Sequence, residues 1–445
     1  MISFIQFLNT VSPKVSIWGV KLILSILLIL VSFIFLVTRL SDSVHGAGIG
    51  NLPVRSVDTM KFSKDIAREK ENDLAFDAVI EQHVAHISTL NVTHIAIATP
   101  FDKEFVPYLR RWVKVARKYK LKVWYRGNLS GWEGWFNYEK ITPATRIILL
   151  TDFIKNNEDL FEDGDIFTSC VECENGALRL PVGSQIPAFR EFTINEYNAV
   201  KKSFRDIGKD VQANYNSMNG ELAKHLMDKN TTAEMDGIVA IDHYVHSQEK
   251  LVNDINYLES NSGGRIVLGE VGAPIPDIHG DMTELEQRDW LAKLFVKLDK
   301  LDNLDGINYW LSYGGSTPLW DPNGKERLAA EVVRNAFGGN TLRAKLVDRK
   351  GVIITDAEVI SLGETYLVDT NGVFSLPYLY EGQTLEISAK GYPKKTQITL
   401  KGKPGSQISL DFDIENTSSS DSLWVTIWRS LTYPFMVIFN LLTGK

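Results

Sequence analysis

The chain has 445 residues, of which 44% are hydrophobic and 23% charged, and its formal net charge is −7. This is globular composition with length for about two or three domains, and it lacks the basic surplus a nucleic-acid partner would need. Two cysteines exclude a disulfide scaffold and cannot alone fill a tetrahedral zinc site.

Residues 1–16 read as a cytoplasmic N-terminus and residues 17–39 as a transmembrane anchor. The run "LILSILLILVSFIFLVT" (22–38) is almost wholly apolar. With "IWGV" ahead of Lys21 it reaches the roughly 20 residues that span a bilayer as a helix. A cleaved signal peptide is the alternative, but its apolar core is usually about 7–15 residues, and no A-x-A site follows here. Lys14 and Lys21 precede the span. By the positive-inside bias this places the N-terminus in the cytoplasm and the body outside the cell membrane, as a single-pass protein with the lipid bilayer as a partner.

Between residues 46 and 340, short apolar runs alternate with helical patterns. The runs are "VRSVD" (54–58), "HIAIATP" (94–100), "KVWYRG" (122–127), "DIFTSCVE" (165–172), "VQANYN" (211–216), "GIVAIDHY" (237–244), "RIVLGE" (265–270) and "GINYWL" (306–311). The fifth is polar for a buried strand. Among the helical segments, "TELEQRDWLAKLFVKL" opens with the capping-box spacing Thr283 to Glu286, and "KERLAAEVVRNAF" stops at Gly338-Gly339. Eight strand-helix units predict an α/β fold, a closed (β/α)8 TIM barrel. The alternative is an open doubly wound sheet, which usually carries a glycine-rich loop after its first strand; "TMKFSKD" has none.

Residues 341–413 change character. Apolar and polar residues alternate, and "DRKG", "DTNG" and "EGQ" punctuate them as turns, which predicts a small antiparallel β-sandwich. "DTNGVFSLPYLYEGQTLEISAKGY" and "VDRKGVIITDAEV" resemble the carboxypeptidase-regulatory-like (transthyretin-like) module, which implies a spacer or binding accessory. "ENTSSSDS" lies in a linker at 414–422. Residues 423–445 are apolar and aromatic, but Arg429 and Pro434 interrupt them. They read either as an interfacial, membrane-associated segment or as a tail that packs on the body or a partner.

In a parallel barrel, chemistry collects at the C-terminal ends of the strands. The fourth run ends at Glu172, with Glu174 just beyond, and the seventh ends at Glu270, 98 residues after Glu172. Three strand-helix units separate them, about 33 residues each, near the roughly 31 of a 250-residue barrel. Two carboxylates across one mouth suit a retaining glycosidase, which needs an acid and a nucleophile about 5–5.5 Å apart.

These residues carry a resemblance to clan A glycoside hydrolases over roughly 50–338. In that clan the fourth strand often ends Asn-Glu-Pro; here Val171, Glu172 and Cys173 stand there. "LGEVGAP" resembles the clan's Glu-x-Gly pattern at strand seven, and "GINYWLSYGGSTPLW" supplies Trp310 at strand eight. The resemblance implies a (β/α)8 barrel with Glu172 as acid/base and Glu270 as nucleophile, Trp310 beneath the reacting sugar, and His243 and Tyr244 at the mouth. It implies a polysaccharide or oligosaccharide substrate and no cofactor. Val171 departs from the pattern, because the usual Asn donates to the sugar 2-hydroxyl. Asn214 or Asn216 after strand five, or Arg126 and Asn128 after strand three, could replace it. Without a replacement, the barrel is a catalytically inactive carbohydrate-binding or envelope-assembly protein.

The loops "NLSGWEGWFNYEK" and "STPLWDPNG" bring Trp132, Trp135, Phe136 and Trp320 to the expected mouth as a substrate platform, or else as core. Glu174 either competes for the acid role or binds substrate hydroxyls. Arg126 would orient a carboxylate or form a strand-end salt bridge. Cys170 and Cys173 bracket Glu172 on a strand end, where a packing role is expected over redox or metal chemistry. No third ligand accompanies His243 and His246, so no metal site is assigned.

Overall fold

The computed structural model describes residues 48–176, 185–391, 396–400 and 407–409. The segments read as cytoplasmic N-terminus, anchor, linker and apolar tail lie outside the described residues. Among those described, no helix is long and apolar enough to cross a membrane. The chain divides into two compact units. Among the described residues, those up to Asn340, with Pro377–Tyr380, form one, and Thr341–Leu376 with those from Glu381 onward form the other.

The first unit holds an eight-stranded sheet of β1 (Val54–Asp58), β2 (His94–Ile97), β3 (Lys122–Tyr125), β4 (Ile166–Phe167), β5 (Ser217–Asn219), β6 (Ile238–Asp242), β7 (Arg265–Val271) and β8 (Leu304–Tyr309). The order is β4-β3-β2-β1-β8-β7-β6-β5, and every pairing is parallel. β1 lies between β2 and β8, as the TIM-barrel expectation requires. Between β4 and β5 the closure is irregular. Ile166 bridges Gln212, whose carbonyl accepts from Phe167 N at 2.9 Å, and Glu172 N donates to Ser217 O at 2.9 Å.

Two expected strands differ from what is observed. The fourth, expected over 165–172, keeps ladder pairing only at Ile166–Phe167, and the fifth, expected over 211–216, is instead Ser217–Asn219. The polar run before β5 supplies a single bridge and one large inward side chain, Tyr215. That ring joins Val54, Ala96, Trp124, Ile166, Ala240 and Val267 in the barrel core.

Main helices follow the strands at Asp77–Ser88, Val106–Lys118, Pro143–Asn156, Ile186–Asp206, Gly220–Leu226, Gln248–Ser262, Glu284–Leu298 and Leu328–Phe337. Their sequence signals are local. Val106, Leu109, Trp112, Val113 and Ala116 make the buried stripe of the second, at helical spacing. Thr283 and Glu286 form the anticipated capping box. Gly263, at φ 66°, ends its helix in the left-handed conformation that glycine tolerates best.

The second unit has a four-stranded sheet, order β11-β10-β13-β14, and a three-stranded sheet, order β12-β9-β15. Its strands are β9 (Thr341–Val347), β10 (Ala357–Ser361), β11 (Glu364–Leu367), β12 (Val373–Pro377), β13 (Thr384–Ala389), β14 (Thr396–Thr399) and β15 (Gln407–Ser409). The four-stranded sheet is antiparallel, as the alternation predicts. β15, however, pairs with β9 in parallel. The two Asp-x-x-Gly turns are built alike. Asp348 Oδ1 accepts from Lys350 N and Val352 N, and Asp369 Oδ1 accepts from Asn371 N and Val373 N, all at 2.8–2.9 Å.

Candidate active site

Period-two alternation decides which side chains reach the barrel interior. Val54, Trp124 and Ala240 face the core, so Ser56 and Asp58 on β1, Arg126 after β3 and Asp242 on β6 follow them inward toward the C-terminal mouth. At β7 a register shift between Leu268 and Val271 breaks this alternation next to Glu270.

Arg126 is the hub of the site and is 1% exposed. Its Nη2 donates to Glu270 Oε1 at 2.8 Å and to Asp242 Oδ2 at 3.2 Å, and its Nη1 donates to Gly269 O at 2.8 Å. Nε lies 3.4 Å from Asp58 Oδ2. One guanidinium therefore faces three buried carboxylates. Each carboxylate has further donors. Asp58 accepts from Met60 N at 2.6 Å and from Asn308 Nδ2 at 3.2 Å. Asp242 accepts from Ser217 Oγ at 2.9 Å, and Glu270 Oε2 accepts from Tyr244 Oη at 2.9 Å. The Tyr244 ring meets Trp310 edge to face, with centroids 5.6 Å apart.

Glu172 stands beyond β4 in the left-handed region, at φ 43° and ψ 50°. Its Oε2 accepts from Asn175 Nδ2 at 3.0 Å. Burial pushes its carboxyl up to about 8; the charges of Asp242 and Glu174 add to this, and Arg126 opposes it. Burial and then Asp242 also push Glu270 up, against the pull of Arg126. The hydrogen bonds separate the two. Both Glu270 oxygens accept from fixed donors, which favours its ionised form, whereas Glu172 has one exposed amide. These donors oppose the effect of burial more strongly at Glu270 than at Glu172.

Arg126, Glu172, Tyr244, Glu270 and Trp310 thus belong to one mouth, and Glu174 lies under its rim. Glu174 is 1% exposed, and its Oε1 accepts from Asn219 N at 2.7 Å. Burial pushes it up as well. Trp135 is half-buried, with Lys64 Nζ 4.4 Å from its ring centre. Asn216 Oδ1 accepts from Ser169 N and Ser169 Oγ at 3.1 and 2.9 Å, while its Nδ2 has no partner among the described residues.

Other expected residues lie elsewhere. Trp132 is 1% exposed, stacked on Phe192 and beneath the Arg146 guanidinium, so it offers no face to a sugar. Trp320 is buried against His86 and Tyr313. Asn128 is consumed internally: it donates to Glu133 and accepts from Arg146. Asn214 donates to Asp236 O, ahead of β6 and so at the opposite end of the barrel. His243 follows inward-facing Asp242 and is turned outward, where its Nε2 pairs with Asp254 Oδ2 at 2.8 Å. That aspartate also holds Lys224 and Lys250.

The cysteines are buried and joined as a disulfide, with Cα atoms 5.3 Å apart. Alternation does not orient them, because β4 has ended before Cys170. Beside them Arg146 and Glu196 form a fully buried ion pair at 2.7 Å, and Arg146 also donates to Ser169 O. Asp58, Asp242, Ser217, Asn308 and this Arg146 pair are not among the residues expected from the sequence. Asp58 and Asp242 were findable, since each ends its strand in phase with an interior residue.

No protein-family model matches the chain, and no curated protein matches it. Similar solved structures include an FMN-binding β-glucuronidase from Facaelibacterium prausnitzii L2-6, at 12% identity and TM-score 0.46 over 80% of this chain and 57% of that one. A β-glucuronidase from Ruminococcus gnavus in complex with D-glucuronic acid matches at 10% identity and TM-score 0.42, covering 58% and 45%. Bacteroides uniformis β-glucuronidase 3 matches at 8% and 0.41, covering 75% and 47%. The chain spans about half the length of these proteins. At such low identity and superposition score, chemistry has to be argued from this barrel's own side chains.

Proposed function

We propose that the barrel is a retaining glycoside hydrolase or transglycosidase. The observation that supports this best is the unequal treatment of two carboxylates at one mouth. Glu270 has donors on both oxygens and a guanidinium beside it, while burial and neighbouring anions keep the proton on Glu172 up to about pH 8.

In the first step the Glu270 carboxylate attacks the anomeric carbon, the glycosidic C–O bond breaks, and the Glu172 proton passes to the leaving oxygen. In the second, Glu172 takes a proton from water or from an acceptor hydroxyl. That oxygen displaces Glu270 from the anomeric carbon. Tyr244 and Arg126 hold Glu270, and Trp310 and Trp135 offer rings to the sugar. Incubation with a 2-fluoro glycoside bearing a good leaving group tests the reading. Mass spectrometry should find the sugar on the peptide that contains Glu270. A label on another residue, or no label and no turnover across a broad glycoside panel, rejects it.

Val171 favours a second reading, in which the barrel binds carbohydrate without cleaving it. Glycan binding that persists with no turnover would select that reading.

The setting is part of the same proposal. A membrane anchor at 17–39 would hold the barrel outside the cytoplasmic membrane, against cell-surface or extracellular polysaccharide. The 341–413 unit would serve as a carboxypeptidase-regulatory-like spacer, and the 423–445 tail would lie on the lipid surface. Protease added to spheroplasts should digest the body along with known exported domains; an uncut body overturns this orientation.

A further inference from the structure

Asp242 is 2% exposed and lies inside the barrel at the end of β6. Its Oδ2 accepts from Ser217 Oγ at 2.9 Å and from Arg126 Nη2 at 3.2 Å. Both partners lead onward. The Ser217 carbonyl accepts from the backbone N–H of Glu172 at 2.9 Å. The same Arg126 Nη2 donates to Glu270 Oε1 at 2.8 Å. Asp242 is also the register partner of Glu270 across the β6–β7 ladder. It is therefore connected to Glu172 through one serine and to Glu270 through one guanidinium.

The barrel makes room for this carboxylate. A Cβ at position 269 would stand 2.4 Å from Asp242 Oδ1 and 2.9 Å from Arg126 Nη1. Only glycine lets β7 pass that close.

The chemistry explains why a carboxylate, and not an amide, belongs there. A lone buried guanidinium beside the pair would favour ionisation of both Glu172 and Glu270, and the acid would lose its proton. Burial pushes Asp58 and Asp242 up, but Arg126 pulls both back toward ionisation, helped by Met60 N and Asn308 at Asp58 and by Ser217 at Asp242; with both charged, the cation is outnumbered once Glu270 is ionised. A further negative charge on Glu172 is then costly.

We propose that Asp242 is a positioning residue whose ionised carboxylate, fixed by Ser217 and Arg126, keeps the proton on Glu172 and sets the working pH of the pair. This rests on the reading of Glu172 and Glu270 as acid/base and nucleophile. Other charged groups also face Glu172: Glu174 from its own loop, Arg126 from the end of β3, Glu133 from the Ser130–Glu133 turn and Glu270 from β7. Asp58 faces Glu270 and Arg126 from β1, and Lys64 faces Asp58 and Glu133.

The test is the pH profile of kcat/KM for Asp242→Asn, which keeps the shape and removes the charge. Loss of that charge makes both Glu172 and Glu270 easier to ionise. Both limbs of the bell should therefore move to lower pH together, by about one pH unit. Ser217→Ala, which weakens the hold on Asp242, should move them the same way by less; it keeps the test available if Asp242→Asn does not fold. Limbs that stay in place while the overall rate drops would mean a structural role only and would overturn the proposal. A direct measurement separates this failure from failure of the glycosidase reading. The carboxyl ¹³C titration of Glu172, assigned by its loss in Glu172→Gln, should fall to lower pH in Asp242→Asn even in a protein that cleaves no glycoside. An unmoved titration there defeats the proposal by itself.

Discussion

Arg126 Nη2 lies 2.8 Å from Glu270 Oε1, and neither group can be understood without the other. Glu270 lies at the floor of the mouth and Arg126 is sealed beneath it with Asp58 and Asp242. Arg126→Met should therefore do more than slow a reaction. It would take the guanidinium away from three buried carboxylates, at a cost of about 3–5 kcal/mol. The sign with pH follows. In the variant these carboxyls would have folded-state pKa values above their unfolded ones, so stability would be highest at low pH and lost as pH rises through the raised values. Urea denaturation of wild type and variant at pH 5 and pH 8 should show the gap widening at pH 8.

Glu172 gives a second pH signature. Its proton is held up to about 8, so glycoside cleavage should persist to about that pH and then fall. An ordinary carboxylic acid would have lost its proton near pH 4. The fall should be pronounced for alkyl leaving groups, which need protonation, and shallow for nitrophenolates, which do not. A profile with no alkaline limb for either class would remove Glu172 from the acid role.

The Tyr244 hydroxyl donates to the other Glu270 oxygen at 2.9 Å. Tyr244→Phe keeps the ring against Trp310 and deletes that one bond. A hydrogen bond to a charged group is worth about 1.5–3 kcal/mol, so kcat/KM should drop about 10- to 160-fold with little change in thermal stability. His243→Ala, one residue earlier, should do the reverse. It should lower stability and leave kcat near that of the wild type, because His243 bonds Asp254 outside the barrel.

That neighbouring pair also shows what the sequence made legible. The strand-helix alternation, the capping box at Thr283 and the Asp-x-x-Gly turns are local patterns, and all are present. Counting units places Glu270 near the end of β7, where it is found, but Glu172 lies five residues beyond β4 and not at its end. The facing of side chains was harder to read. The composition of "AIDHY" draws attention to its histidine and tyrosine, yet a period of two from interior Ala240 selects Asp242 and rejects His243. Trp132 and Trp320 have the composition of a sugar platform, but burial depends on contacts with Phe192, Arg146, His86 and Tyr313, which are distant in sequence. β5 falls later than expected because the alternating run Val211–Asn216 makes only one bridge, Gln212 to Ile166, and ladder pairing with β6 begins at Ser217.

The two carboxylates can finally be told apart by one reagent. Glu270→Ala removes the nucleophile, so turnover should fall by several orders of magnitude. Azide can occupy the vacated space beside Arg126 and attack the anomeric carbon directly, giving a glycosyl azide of inverted configuration. Glu172→Ala leaves the nucleophile in place. Substrates with good leaving groups should still form the glycosyl-enzyme, which should accumulate as a burst, because no base remains to activate water. Azide needs no base and should discharge that intermediate. Two inversions then give the retained product. NMR of the anomeric proton distinguishes the two azides. Opposite configurations from the two variants would assign both roles at once. The same configuration from both would mean that Glu172 and Glu270 do not stand on opposite sides of the scissile bond. A harmless Glu172→Ala beside a crippling Glu174→Ala would move the acid to the carboxylate that now accepts from Asn219 N.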